Sequence, residues 1–183
     1  MLLVLVVAAC FLTVPLTGGR IAMLAELEIR AAWAALAGIA VQVVIISLVH
    51  AGDRAIHVAL HVASYGLGAY FVVVNRRVPG LWLVGIGGAL NFAAIAANGG
   101  VMPASREALL RAGIEPSHGF ANSAALAHPK LQFIGDVFAV PGPWPIGNVF
   151  SIGDLVLVAG LMVLIHRSSR APLPLPQPRD DAR

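Results

Sequence analysis

Two carboxylates and a group of histidines are the residues best able to do chemistry in this chain. Asp136, in Phe133-Ile-Gly-Asp-Val137, and Asp154, in Phe150-Ser-Ile-Gly-Asp154, lie 18 residues apart. Two carboxyl groups sharing a site split their titration, so that one keeps a proton while the other can activate water, the logic of an aspartyl hydrolase. Asp154 also has a structural reading. Ser151-Ile-Gly-Asp154 follows the capping-box pattern, in which Ser151 accepts from the amide of Asp154 and Asp154 returns to the amide of Ser151. His57 and His61 stand four residues apart and so on one face of a helix, with His50 a short loop away. Such a trio could ligate a metal or haem iron, with Asp53, Asp136 or Asp154 completing the shell, or serve only in packing.

The elements that must position these residues are apolar. The chain has 183 residues, of which 58% are hydrophobic and 11% charged, and its mean hydropathy is +0.85. Soluble domains carry about 25% charged residues, so the composition predicts an integral membrane protein. Five apolar segments stand out, at Met1 to Leu16, Ala31 to Val49, Ile56 to Val74, Leu81 to Ala97 and Val149 to Ile165, four of them 17 to 19 residues long. The expected fold is all-α: a bundle of five transmembrane helices in one domain over 1–166, with 98–148 folded as an extracytoplasmic cap. The cap is too apolar for a free tether, and a short helix is expected from Ser105 as N-cap to just before Gly113. The tail, 167–183, is Pro-rich and reads as a disordered cytoplasmic strip.

The twelve Lys and Arg residues are scattered at segment ends, which argues against nucleic acid. With the N-terminus outside, eight fall on the inner side and four on the outer side, as the positive-inside rule favours. That orientation implies a multi-pass protein of the bacterial plasma membrane with a cytoplasmic C-terminus. It also collects His50, His57, His61, Asn98, Asp136 and Asp154 on the outer face. Gln42 and Asn91 are expected to bond across helices, and Gly85, Ala89, Ala93 and Ala97 form a small-residue stripe for close packing. Asn98-Gly-Gly-Val-Met-Pro103 reads as a helix end and turn. It is alternatively a ligand-binding turn, in which Asn98, Gly99 and Gly100 join Asn148 and Ser151. The single Cys10 excludes an internal disulfide.

These motifs, together with Gly18-Gly19-Arg20 followed by Leu24-Ala25, resemble a family of multi-pass bacterial membrane proteins known only as a domain of unknown function. That resemblance covers nearly the whole chain and implies a five-helix bundle without an assigned activity. Phe150-Ser-Ile-Gly-Asp154 is more faintly similar to the last helix of lipoprotein signal peptidases, whose Phe-Asn-Val-Ala-Asp pattern bears one of two catalytic aspartates. Asp136 would stand for the other, although it follows Ile134-Gly135 where that family has Gly-Asn.

No phosphate-binding Gly-Lys loop, Gly-x-Ser-x-Gly elbow or His-Glu-x-x-His sequence is present. The sequence thus leans toward a non-enzymatic module that binds a lipid, small ligand or partner through an outer polar pocket. Its expected partners are the lipid bilayer and a further membrane protein or lipid ligand. An aspartate-dyad hydrolase and a histidine metal or haem site are the alternatives, and no cofactor is named by any motif.

Overall fold

The computed structural model describes residues 2–48, 54–116, 123–142 and 147–170. Helices occupy each of the five apolar segments: α1 (Leu2–Leu12), α2 (Ala32–Leu48), α3 (Arg54–Val74), α4 (Leu81–Ala97) and α6 (Ile152–Ser168). A short α5 (Arg106–Arg111) and four strands, β1 (Met102–Pro103), β2 (Ser123–Ala124), β3 (Asp136–Val140) and β4 (Asn148–Ser151), lie between α4 and α6.

The transmembrane bundle expected from composition is not what forms. Among the described residues no helix is long and apolar enough to cross a membrane. The helices α2, α4 and α6 have 17 residues each. At 1.5 Å per residue that is about 25 Å, short of a hydrocarbon core of about 30 Å. The longest, α3, has 21 residues but carries His61, Ser64, Tyr65 and Tyr70 along its length. The plasma-membrane location, the outward N-terminus, the cytoplasmic tail and the extracytoplasmic status of 98–148 all rested on those spans and fall with them. The all-α class fails as well, because of the strands. In the tail, Arg167 and Ser168 belong to the last turn of α6, and 171–183 lies outside the described residues.

Two helix pairs frame the molecule. In the first, Gln42 Nε2 on α2 donates to Ser64 Oγ on α3 at 2.8 Å, the cross-helix bond expected for a lone amide in an apolar helix. In the second, α4 meets α6 at glycine. A Cβ at Gly87 would lie 2.5 Å from the Gly153 carbonyl oxygen and 2.7 Å from the Leu157 nitrogen, and one at Gly160 would lie 2.6 Å from the Val84 nitrogen. Backbone therefore touches backbone. The seam runs through Gly80, Gly87, Gly153 and Gly160, seven residues apart on each helix, and not through the stripe that begins at Gly85, where a Cβ would meet Val72 of α3 at 2.9 Å.

The N-terminal segment docks on the far end of α6, where Cys10 and Val14 bury against Ile165. His166 closes this contact, with Nε2 3.0 Å from Thr13 Oγ1 and Nδ1 3.0 Å from Thr17 Oγ1.

The described part of the connection from α4 to α6 forms a short helix and two two-stranded sheets. Ser105 caps α5 as expected, accepting from the Ala108 amide, and the chain leaves through Gly113 at φ 73°. β1 and β2 flank α5 in sequence and pair in parallel. β3 and β4 pair antiparallel, with Phe138 stacked on Phe150 at 5.4 Å. Ala104, Ala108, Leu109 and Ala112 bury against Val149, tying α5 to that sheet.

The seam makes a matched prediction. Gly88, next to Gly87 on α4, has nothing within 4 Å of its ideal Cβ. Gly88→Ala should raise stability by up to about 1 kcal/mol through helix propensity. Gly87→Ala should lower it by about 1 to 3 kcal/mol, because a rigid backbone neighbour outweighs that gain. Thermal or urea denaturation of the two variants reads the difference.

Candidate functional site

The last residue of β4 is also the first of the α6 cap. Ser151 has extended backbone (φ −104°, ψ 170°), which ends a strand and starts a helix without strain. Its Oγ accepts from the Asp154 amide at 3.0 Å, and Asp154 Oδ2 accepts from the Ser151 amide at 2.9 Å. The capping box read from the sequence is thus complete. Asn91, arriving from α4, makes a closed circuit: its Nδ2 donates to Asp154 Oδ1 at 2.7 Å and its Oδ1 accepts from Ser151 Oγ at 2.8 Å. Gly153 leaves room for this, since a Cβ there would collide with the Asn91 side chain.

Asp136 reaches the same place by strand register. It opens β3 opposite Ser151, and residues facing each other across an antiparallel pair have Cα atoms about 4.5 to 5.5 Å apart. Its carbonyl accepts from the Ser105 amide at 2.9 Å, and its Oδ2 accepts from Ser123 Oγ on β2. The second carboxyl oxygen, Oδ1, has no hydrogen bond among the described residues.

The two carboxylates therefore sit in different surroundings. Burial raises the Asp136 pKa from 3.8 to about 6; the Ser123 hydrogen bond opposes this and the negative charge of Asp154 adds to it. Tyr65 on α3 is pushed up to about 12, first by burial and then by Asp154. Its ring lies 4.9 Å from Phe92 and 6.3 Å from the buried His61. At neutral pH the site combines a neutral phenol with a carboxyl group that titrates close to neutrality.

The remaining candidates separate. Asn98 is a clamp: its Nδ2 donates to the Ala94 and Lys130 carbonyls and its Oδ1 accepts from the Lys130 amide. Gly99 and Gly100, at φ 67° and 95°, turn the chain out of α4. Asn148 pairs with Val140 in the sheet and accepts from the Val149 amide. Of the five residues proposed as ligand-binding, only Ser151 joins the carboxylates. His50 and Asp53 lie outside the described residues, as does the side chain of His57, so the metal trio is represented by His61 alone. Among the described residues no group of three or more His, Cys, Asp or Glu could hold a metal. Sequence reasoning missed Ser123 and Tyr65. Tyr65 stands four residues after His61, a helical spacing that was readable, whereas nothing local to Ser123 marks it.

Residues 26–166 match a family of unknown function (DUF5317), and the chain belongs to that family. It is also similar to an uncharacterised protein of Thermotoga maritima, with 29% identity over 93 residues. That match takes in 51% of this chain and 54% of the relative, so the chain spans about half the length of the curated relative it matches. No solved structure matches it.

The raised Asp136 pKa fixes the sign of a pH effect. The folded state holds this proton up to about pH 6, whereas an unfolded Asp releases it near pH 3.9. Between those values the folded state binds more protons, so stability falls as pH rises and then levels off above about pH 6. The whole effect is on the order of 2 to 3 kcal/mol. Asp136→Asn should flatten this part of the profile, as read by urea denaturation between pH 4 and 7.5.

Proposed function

We propose that this chain is a non-enzymatic module that binds a small ligand through the polar cluster around Asp136. The observation that carries this reading is the division of labour between the carboxylates. Asp154 has both oxygens engaged by Asn91 and Ser151, which suits a joint between elements. Asp136 is buried, titrates near neutrality and keeps Oδ1 uncommitted among the described residues. A carboxyl group in that state can donate to or accept from a ligand according to its protonation. Native mass spectrometry of the gently purified full chain tests the reading. A stoichiometric added mass is expected on the wild type, with occupancy reduced at least about tenfold in Asp136→Asn. The same mass in both proteins, or none in either, would count against it.

One observation favours a second reading, the aspartate-dyad hydrolase. Asp136 and Asp154 interact electrostatically, and the negative charge of Asp154 adds to the burial that raises the Asp136 pKa to about 6. A dyad needs one protonated and one ionised partner. The two readings diverge at Asp154→Asn. Asn preserves much of the cap, so the joint reading expects a loss of about 1 kcal/mol or less in stability and retained ligand. The dyad reading expects a folded protein that no longer cleaves. Incubation with mixed peptide and ester substrates separates them: hydrolysis that vanishes in both Asp136→Asn and Asp154→Asn would replace the binding reading.

A further inference from the structure

A depression lies away from these carboxylates, where the start of α2 faces the end of α3. It is open, measures about 710 Å³ and is lined by Arg30, Ala31, Trp33, Tyr70, Val74 and Arg76, among others. None of its lining residues is acidic. Among the described residues the one ion pair is Arg111 with Glu107, so neither guanidinium here is neutralised by a carboxylate. Arg76 makes only a long contact from Nη1 to the Val73 carbonyl, at 3.4 Å. Both arginines therefore keep most of their planar donor fork for another group.

The same lining also carries aromatic and apolar side chains. Trp33 and Tyr70 are 62% and 49% exposed, with ring centroids 6.1 Å apart and planes inclined at 42°, and Val74 extends the same surface. The backbone at Arg30 is held by a buried amide. Asn75, buried at 4% exposure, accepts from the Arg30 amide at 2.8 Å and donates to the Arg30 carbonyl at 2.7 Å and the Phe71 carbonyl at 2.9 Å. That grip fixes the backbone from which Arg30 projects, and the next residue, Ala31, has φ 51°, a conformation unfavourable for a residue with a Cβ. Backbone held by Asn75, two guanidiniums without an ion pair among the described residues and two neighbouring aromatic rings suit a ligand with an oxyanion and an apolar body.

We infer that this depression binds a phosphate monoester carried on an apolar group, with Arg30 and Arg76 on the phosphate and Trp33 and Tyr70 on the body. The proposal does not depend on the reading at Asp136. The same chemistry could come from a lipid-derived alkyl phosphate or from an aryl phosphate, so calorimetric titration of the full chain uses dodecyl phosphate below its micelle concentration, 1-naphthyl phosphate and inorganic phosphate. Saturable one-to-one binding of at least one ester is expected, at least about tenfold tighter than inorganic phosphate. The preferred ester identifies the source. Arg30→Gln and Arg76→Gln should each weaken it about tenfold, the loss of one charge-assisted contact. These two side chains are exposed, and Arg30→Gln leaves the backbone groups gripped by Asn75 in place, so unchanged melting is expected of both variants. Arg77→Gln, a neighbour outside the lining, should leave affinity unchanged. The inference is overturned if neither ester binds saturably, if inorganic phosphate binds as tightly, if folded Arg30→Gln and Arg76→Gln bind like the wild type, or if Arg77→Gln weakens binding equally.

Discussion

Most of what is distinctive in this structure depends on the backbone-to-backbone contact between α4 and α6. Glycine at positions 80, 87, 153 and 160 removes the side chains that would hold the helices apart, and only at that separation can Asn91 reach two partners on α6 at 2.7 and 2.8 Å. A buried amide left unbonded costs on the order of 1 to 3 kcal/mol. The circuit of Asn91, Ser151 and Asp154 is therefore stabilising only while the seam is closed. The dependence runs outward from there. Ser151 is at once the last residue of β4 and the cap of α6, so the seam sets where the sheet begins, and the sheet register sets where Asp136 stands.

This architecture gives two aspartates with nearly the same sequence context, Ile-Gly-Asp in both, opposite roles. Asp154 sits at the positive end of a 17-residue helix with donors on both oxygens. Asp136 sits in a strand, buried among short elements, with Ser123 as its side-chain donor and the charge of Asp154 nearby. Asp154 is held as part of a helix cap, whereas burial favours the neutral form of Asp136. The difference follows from placement, and the motif alone does not carry it.

Local signals were legible in the sequence because they depend on neighbours along the chain. The box at Ser151 and Asp154, the cap at Ser105, the turn at Gly113 and the helical character of all five apolar segments are of this kind. The class of protein was not legible, because hydropathy counts apolar residues and says little about helix ends: the helices stop at 17 residues or fewer, or are interrupted by polar side chains. The strands were missed for a related reason. Val137, Phe138, Val140, Val149 and Phe150 have strand-forming side chains, but the runs are four and five residues long and read equally well as pieces of helix. The glycine seam was readable as a seven-residue repeat in two segments, once a closer stripe of small residues was not preferred to it. Asn75 and Asn98 could not be assigned in advance, since each grips backbone 45 or 32 residues away, and nothing near them in sequence names the partner.

The most direct measurement is a double-mutant cycle on Asn91→Ala and Asp154→Ala, with stability read by urea denaturation at neutral pH. If the circuit across the seam is the joint on which the sheet and Asp136 depend, the two substitutions must be strongly non-additive, with a coupling of about 1 kcal/mol or more. Additive losses, with a coupling inside about 0.3 kcal/mol, would mean that Asn91 and Asp154 stabilise the fold independently, and would contradict the account.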